Sequence, residues 1–119
     1  MRRLDLPTLR AAVWAALALV RAHRSLRRRG LAGARVAAPP ALPAHARRGV
    51  LALLRRTPAT CLERALVLQR WDAAHGRPVD VVIGVTAPSA SKGFTAHAWL
   101  ATEADGLAAG YREIHRLPA

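Results

Sequence analysis

With one cysteine, Cys61, the 119-residue chain has no internal disulfide to rely on. That argues for a reducing, cytoplasmic compartment and against a disulfide-stapled secreted scaffold. The histidines (His23, His45, His75, His97 and His115) are too widely separated for zinc-like spacing. A glycine-rich phosphate loop is also missing, so neither a metal nor a nucleotide cofactor is expected. Aromatic residues are scarce: Trp14, Trp71 and Trp99 lie far apart beside one phenylalanine and one tyrosine. The aromatic interleaving of a single-strand nucleic-acid binder is therefore absent. The apolar run Ala11 to Val20 covers ten residues, about half of a membrane span. Arginines follow it at once and no small-residue cleavage site is in place, which argues against a signal peptide.

Acidic residues are few as well, seven against nineteen basic ones, for a net charge of +12. The imbalance is local. Residues 1–56 hold thirteen arginines and one acid, Asp5, for a net of +12; residues 57–119 hold five arginines, Lys92 and six acids, for a net of zero. The basic half could attract an acidic peptide, nucleic acid or anionic lipid. Basic residues on both sides of the apolar run leave a peripheral membrane contact as one use of that segment, and a helix packed on the domain as the other.

The length fits one domain, with a basic helical part over 1–56 and a second part over 57–119. The pattern predicts a long helix from Leu9 to Arg29, ended by Gly30 and Gly33. Residues 38–44, rich in proline, cannot continue it. A short basic helix is expected over about Ala44 to Arg55, and a third from about Pro58 to Ala74, closed by His75-Gly76. Alternation over Val79–Val85 predicts a strand. Residues 86–93 read as a turn-forming loop, Phe94 to Thr102 as a second strand, 103–106 as a hairpin turn, and Leu107 to His115 as a third strand. Helices first and a three-stranded antiparallel meander last define an α+β domain.

Cys61 sits where the third helix begins. Thr57-Pro58 reads as an N-cap with proline at the first helical position, and Thr60-x-x-Glu63 as a capping box. Either start leaves Cys61 in the first turn, where unpaired N–H groups and the helix dipole favour a thiolate, the reactive form. His97 follows 36 residues later on an expected strand. A helix-start thiol with a strand-borne imidazole is the layout of a papain- or transglutaminase-type nucleophile. The competing reading is a small buried hydrophobe, the usual fate of a free cysteine.

Three motifs in order, Cys61-Leu62-Glu63-Arg64-Ala65-Leu66, Val82-Ile83-Gly84-Val85 and His97-Ala98-Trp99-Leu100, resemble the lasso-peptide maturation B2 proteins. These are small transglutaminase-like cysteine proteases that remove the leader from a ribosomal precursor. The resemblance covers residues 57–107, and by composition alone the arginine- and alanine-rich N-terminal half. It implies a transglutaminase/papain-like core, with N-terminal helices, a Cys-bearing helix and a three-stranded antiparallel sheet. It further implies Cys61 as nucleophile, His97 as general base and then acid, and no cofactor. The implied partners are the precursor peptide, a separate leader-recognition (B1) protein and a macrolactam-forming cyclase, with no nucleic acid among them.

The family's third member is an acid on the strand after His97, and the chain departs from that pattern, since no aspartate follows Asp105. Asp105 is at the turn tip, eight residues from His97, and at about 3.3 Å per residue it is out of reach. If Ala104-Asp105-Gly106 forms a three-residue loop, Glu103 pairs with Leu107 and His97 faces Glu113. A two-residue turn would put Ile114 there instead. Glu113 is thus the expected acid, with a solvent-exposed strand glutamate beside Arg112 as the alternative. Trp99, two residues from His97, lines the peptide groove or belongs to the core. Two other functions compete with the peptidase: a non-catalytic basic module binding nucleic acid or anionic membrane, and a transglutaminase-like acyltransferase that uses an amine in place of water.

Overall fold

A computed structural model describes residues 5–30, 35–85, 96–103 and 112–119. Helix α1 spans Leu6–Arg29 and starts one turn earlier than the apolar periodicity indicates. Asp5 is the reason: its Oδ1 accepts the Thr8 N–H at 2.8 Å, and Pro7 sits in the first turn. Gly30 ends the helix at φ +69°, its N–H donating to the Leu26 carbonyl at 3.0 Å.

A 3₁₀ turn, Ala44–Ala46, leads into α2, Arg47–Arg56. Apart from Trp14, the buried residues of α1 (Thr8, Ala11, Ala15, Ala18 and Ala22) are small, so α1 lies close against α2 and α3. At the α1–α2 crossing, Gly49 touches Thr8. A methyl there would run into the Thr8 carbonyl and come within 3.0 Å of Thr8 Cγ2.

Helix α3 spans Cys61–Ala74. Thr60, not Thr57, is its N-cap; Thr57 terminates α2 and donates its hydroxyl to the Leu54 carbonyl at 3.2 Å. Arg47 grips Asp72 through Nε and Nη2 at 2.9 and 3.1 Å, joining α2 to α3. Gly76 at φ +75° reverses the chain after α3. His75 stacks on Trp71 with ring centroids 4.2 Å apart, and its Nε2 lies 2.9 Å from the Leu42 carbonyl oxygen. This histidine therefore ties α3 to the proline-rich connection. Trp71, fully buried, also meets Trp14 at 5.8 Å and forms the middle of the core with Val50, Val67, Val81 and Leu100.

The strands are β1 (Val81–Val85), β2 (Ala96–Leu100) and β3 (Arg112–Leu117), all antiparallel. Their order is β2-β1-β3, which corrects the expected meander: β3 pairs with β1 and not with β2. Val81 and Val82, which point to opposite faces, are both buried. A strand apolar on both sides takes the central position, and β3, exposed almost throughout, takes an edge. The expected loop over 86–93 and the hairpin tip at 104–106 lie outside the described residues. A 3₁₀ turn, Ala101–Glu103, follows β2 where strand was expected to continue. Helices and an antiparallel sheet packed in one core make the chain α+β.

Candidate active site

Cys61 is the first residue of α3 and half-buried, its side chain packed against the core. The capping box around it is complete. Thr60 Oγ1 accepts the Glu63 N–H at 3.1 Å, and Glu63 Oε1 accepts the Thr60 N–H at 3.1 Å. The second carboxylate oxygen of Glu63 lies 2.6 Å from His23 Nδ1 on α1. Burial pushes the Glu63 carboxyl up, but the Thr60 amide and His23 outweigh it and hold it below the usual range. The motif Thr60-x-x-Glu63 was legible in the sequence; the link to His23, 40 residues away, carried no sequence signal.

His97 lies on β2, which packs against α3. Topology puts it level with the start of the helix. Six residues, 75–80, join the end of α3 to the start of β1, so the two elements run in opposite directions. Gln69 fixes the register by donating to the carbonyls of Val79 and Leu117 at 3.0 and 2.9 Å, at the Val81 end of the sheet. Cys61 is about 12 Å back along the helix from Gln69. His97, paired with Gly84, is about 10 Å along the sheet in the same direction. Cys61 and His97 therefore share one end of the helix–sheet layer.

No hydrogen bond joins the two side chains among the described residues. Strand alternation sets Ala98 and Leu100 in the core that Cys61 touches, and His97 and Trp99 on the opposite face of the sheet, so the described residues bring Cys61 and His97 to one end of the layer without bringing the imidazole to the thiol. The rings of His97 and Trp99 stack at 6.0 Å and 22°. Of the two readings the sequence left for Trp99, groove or core, its 4 % exposure is that of a packed side chain supporting the imidazole.

Glu113 is not the direct cross-strand neighbour of His97. Both pair with Gly84, from opposite sides of β1, so they share a row but stand two strand spacings apart, about 9.6 Å. The expected pairing failed because β1 intervenes, and a hairpin count cannot see an inserted strand. A bulge between Ile83 and Gly84 leaves Ile114 unmatched. The Glu113 carboxylate accepts Arg116 Nη2 and Nε at 2.8 and 3.1 Å, and this pairing holds it below its ordinary range. Arg116 also reaches Asp80 at 3.3 Å. Glu103 belongs to the 3₁₀ turn after β2, and Asp105 lies outside the described residues.

Pro58 and Ala59, just before Cys61, line a cavity of about 230 Å³ with Leu19, Val20 and His23 of α1. Among the described residues no three His, Cys, Asp or Glu side chains gather as metal ligands, and no helix is long and apolar enough to cross a membrane.

A helix that opens on cysteine packs on an antiparallel sheet whose strand β2 carries histidine. The family profile of the Transglutaminase-like superfamily matches residues 3–115, and the chain belongs to that superfamily. No curated protein and no solved structure matches it.

Proposed function

We propose that the protein is a cysteine peptidase that removes the leader from a ribosomally made lasso-peptide precursor. The observation that carries this reading is the position of Cys61 at the capped start of α3, at the end of the sheet that bears His97. Membership of a superfamily that includes cysteine proteases and acyltransferases supports it. So does the resemblance of the three motifs to those of the B2 proteins.

In this mechanism the Cys61 sulfur attacks the scissile carbonyl carbon. The C–N bond breaks as His97 delivers its proton to the departing amine, leaving a thioester. Water, giving a proton to His97, then attacks the thioester and releases the carboxylic acid and the thiolate. The Cys61 backbone N–H is the natural first donor to the oxyanion. The cavity beside Pro58 and Ala59 would receive a side chain of the bound peptide. A separate leader-recognition protein and a macrolactam-forming cyclase are its proposed partners, in the cytoplasm.

The test is mass spectrometry of a co-encoded precursor incubated with wild type or Cys61→Ala, each with the leader-recognition protein. Wild type should release a defined leader fragment, and a folded Cys61→Ala should release none. Cleavage by the variant would refute the thiol mechanism. Adding a primary amine separates the acyltransferase reading: a product heavier by the amine, in place of the free acid, would assign transfer over hydrolysis.

A further inference from the structure

The solvent face of α1 has a feature that the chemistry at Cys61 does not use. Leu6, Leu9, Val13 and Leu17 are each more than half exposed. Their spacing puts them on one stripe about 17 Å long. Exposed aliphatic side chains are ordinary when scattered; aligned on one helix they mark a contact surface. The stripe is also concave. Leu9, Val13, Trp14 and Leu17 form one wall of a groove of about 370 Å³, and Pro40, from the connection after α1, stands on the other side.

One to three turns further along α1 the character of this groove changes. Arg21, Arg24, Arg28 and Arg29 line a second concavity, of about 480 Å³, whose far side is Arg35 and Val36 of the same connection. The Arg35 N–H donates to Ser25 Oγ at 2.8 Å and holds that connection against the helix. No carboxylate pairs with any of these five arginines among the described residues. From Leu6 to Arg29 the helix carries six arginines and no acid. Five guanidinium groups around one hollow favour an anionic ligand, carboxylates above all.

We infer that this face of α1 binds a partner polypeptide segment whose aliphatic side chains seat against Leu9, Val13, Leu17 and Pro40 and whose adjoining acidic side chains enter the arginine hollow. The order of the two hollows along α1 fixes the order of the two chemistries in the partner. A bilayer is flat and would leave the Pro40-rimmed groove unfilled. A second copy would bring its own arginines against these. Both facts favour an acidic, amphipathic segment, the helix-in-groove mode of recognition. The inference holds whatever reaction Cys61 performs.

The probe is a fluorescein-labelled synthetic peptide with leucines at i, i+3 and i+7 followed by four glutamates, titrated with the full chain and read by anisotropy. Its comparison peptide has lysines in place of the glutamates. Wild type should bind the glutamate peptide saturably, and Arg24→Glu/Arg28→Glu should weaken it about tenfold or more while gaining the lysine peptide. Val13→Ser/Leu17→Ser should weaken the glutamate peptide as well. These are exposed positions, and unchanged melting confirms that each variant folds. Failure of wild type to bind the glutamate peptide would overturn the inference, as would binding indifferent to the charge reversal. Phosphatidylglycerol vesicles that bind wild type but not the arginine variant, in the absence of peptide binding, would assign the face to lipid. A dimer in sedimentation that Val13→Ser/Leu17→Ser dissolves would assign it to a second copy.

Discussion

Glu63 Oε2 lies 2.6 Å from His23 Nδ1, so the turn that presents Cys61 is fastened to α1 by the same carboxylate that completes its capping box. The Glu63 side chain is only 10 % exposed, whereas that of His23 is 56 % exposed. Loss of the carboxylate leaves the Thr60 amide without its charged acceptor and releases His23 from α3. Glu63→Ala should destabilise the fold by about 1–3 kcal/mol, and Glu63→Gln, which can still accept from Thr60, by less. The pH dependence has a definite sign. A carboxyl held below its unfolded value contributes stability that is complete above that value and is lost as pH falls through the lower one. Wild type should accordingly lose more melting temperature than Glu63→Gln below about pH 5. Parallel curves for the two proteins would show that the charge on Glu63 contributes nothing.

Gly49 sits inside α2, where alanine is ordinarily the better helix former by about 0.5–1 kcal/mol. At this position the sign reverses. The added methyl would meet backbone, the Thr8 carbonyl, where α2 touches α1, and backbone cannot swing aside. Gly49→Ala should lower stability by about 1–3 kcal/mol net, as overpacking does. Chemical denaturation measures it. A stabilised variant would mean that the two helices part readily.

Helix content was legible because its signals are local. The capping box at Thr60 and Glu63, the glycine after His75 and the breakers over 38–44 each act within a few residues, and α2 and α3 stand where these place them. The early start of α1 was written in Asp5 and Pro7, but apolar periodicity begins later and conceals it. Sheet order is a property of the whole chain. Val81 and Val82, buried on opposite faces, are the residues that could have indicated a central β1, since an outer strand of a meander has no reason to be apolar on both sides. Reading β1 by alternation hid this, and the consequence fell on the proposed site: the choice of Cys61 and His97 rests on motif and spacing and does not depend on sheet order, whereas Glu113 was placed by counting through a pairing that does not occur.

Asp5 offers a second acid-sensitive contact, at the opposite end of the molecule's longest helix. Its carboxylate accepts from the Thr8 side, and His45 Nε2 lies 2.9 Å away, which together lower it to about 2. Its contribution is fully present above the ordinary carboxylate value and disappears as pH falls toward about 2. Asp5→Ala should melt earlier than wild type at neutral pH, and the gap should close on acidification. A gap that stays constant would mean that helix capping by Asp5 does not depend on its charge.

Glu113 gives the sharpest test of how the imidazole is oriented. Gly84 stands between it and His97 with no side chain of its own, and the Glu113 carboxylate is engaged by Arg116 through two hydrogen bonds. The ring of His97 is instead backed by Trp99. Under the proposed peptidase mechanism, Glu113→Gln should lower kcat/KM by less than about tenfold, while Cys61→Ala and His97→Ala abolish cleavage. Loss of an acid that orients a catalytic histidine costs far more, on the order of 10⁴ in kcat. A loss of that size in Glu113→Gln, with Arg116→Ala unaffected, would return the carboxylate to a triad acting across Gly84. A loss shared equally by both variants would mean that the ion pair acts by holding β3 to the sheet and that Glu113 does not orient His97.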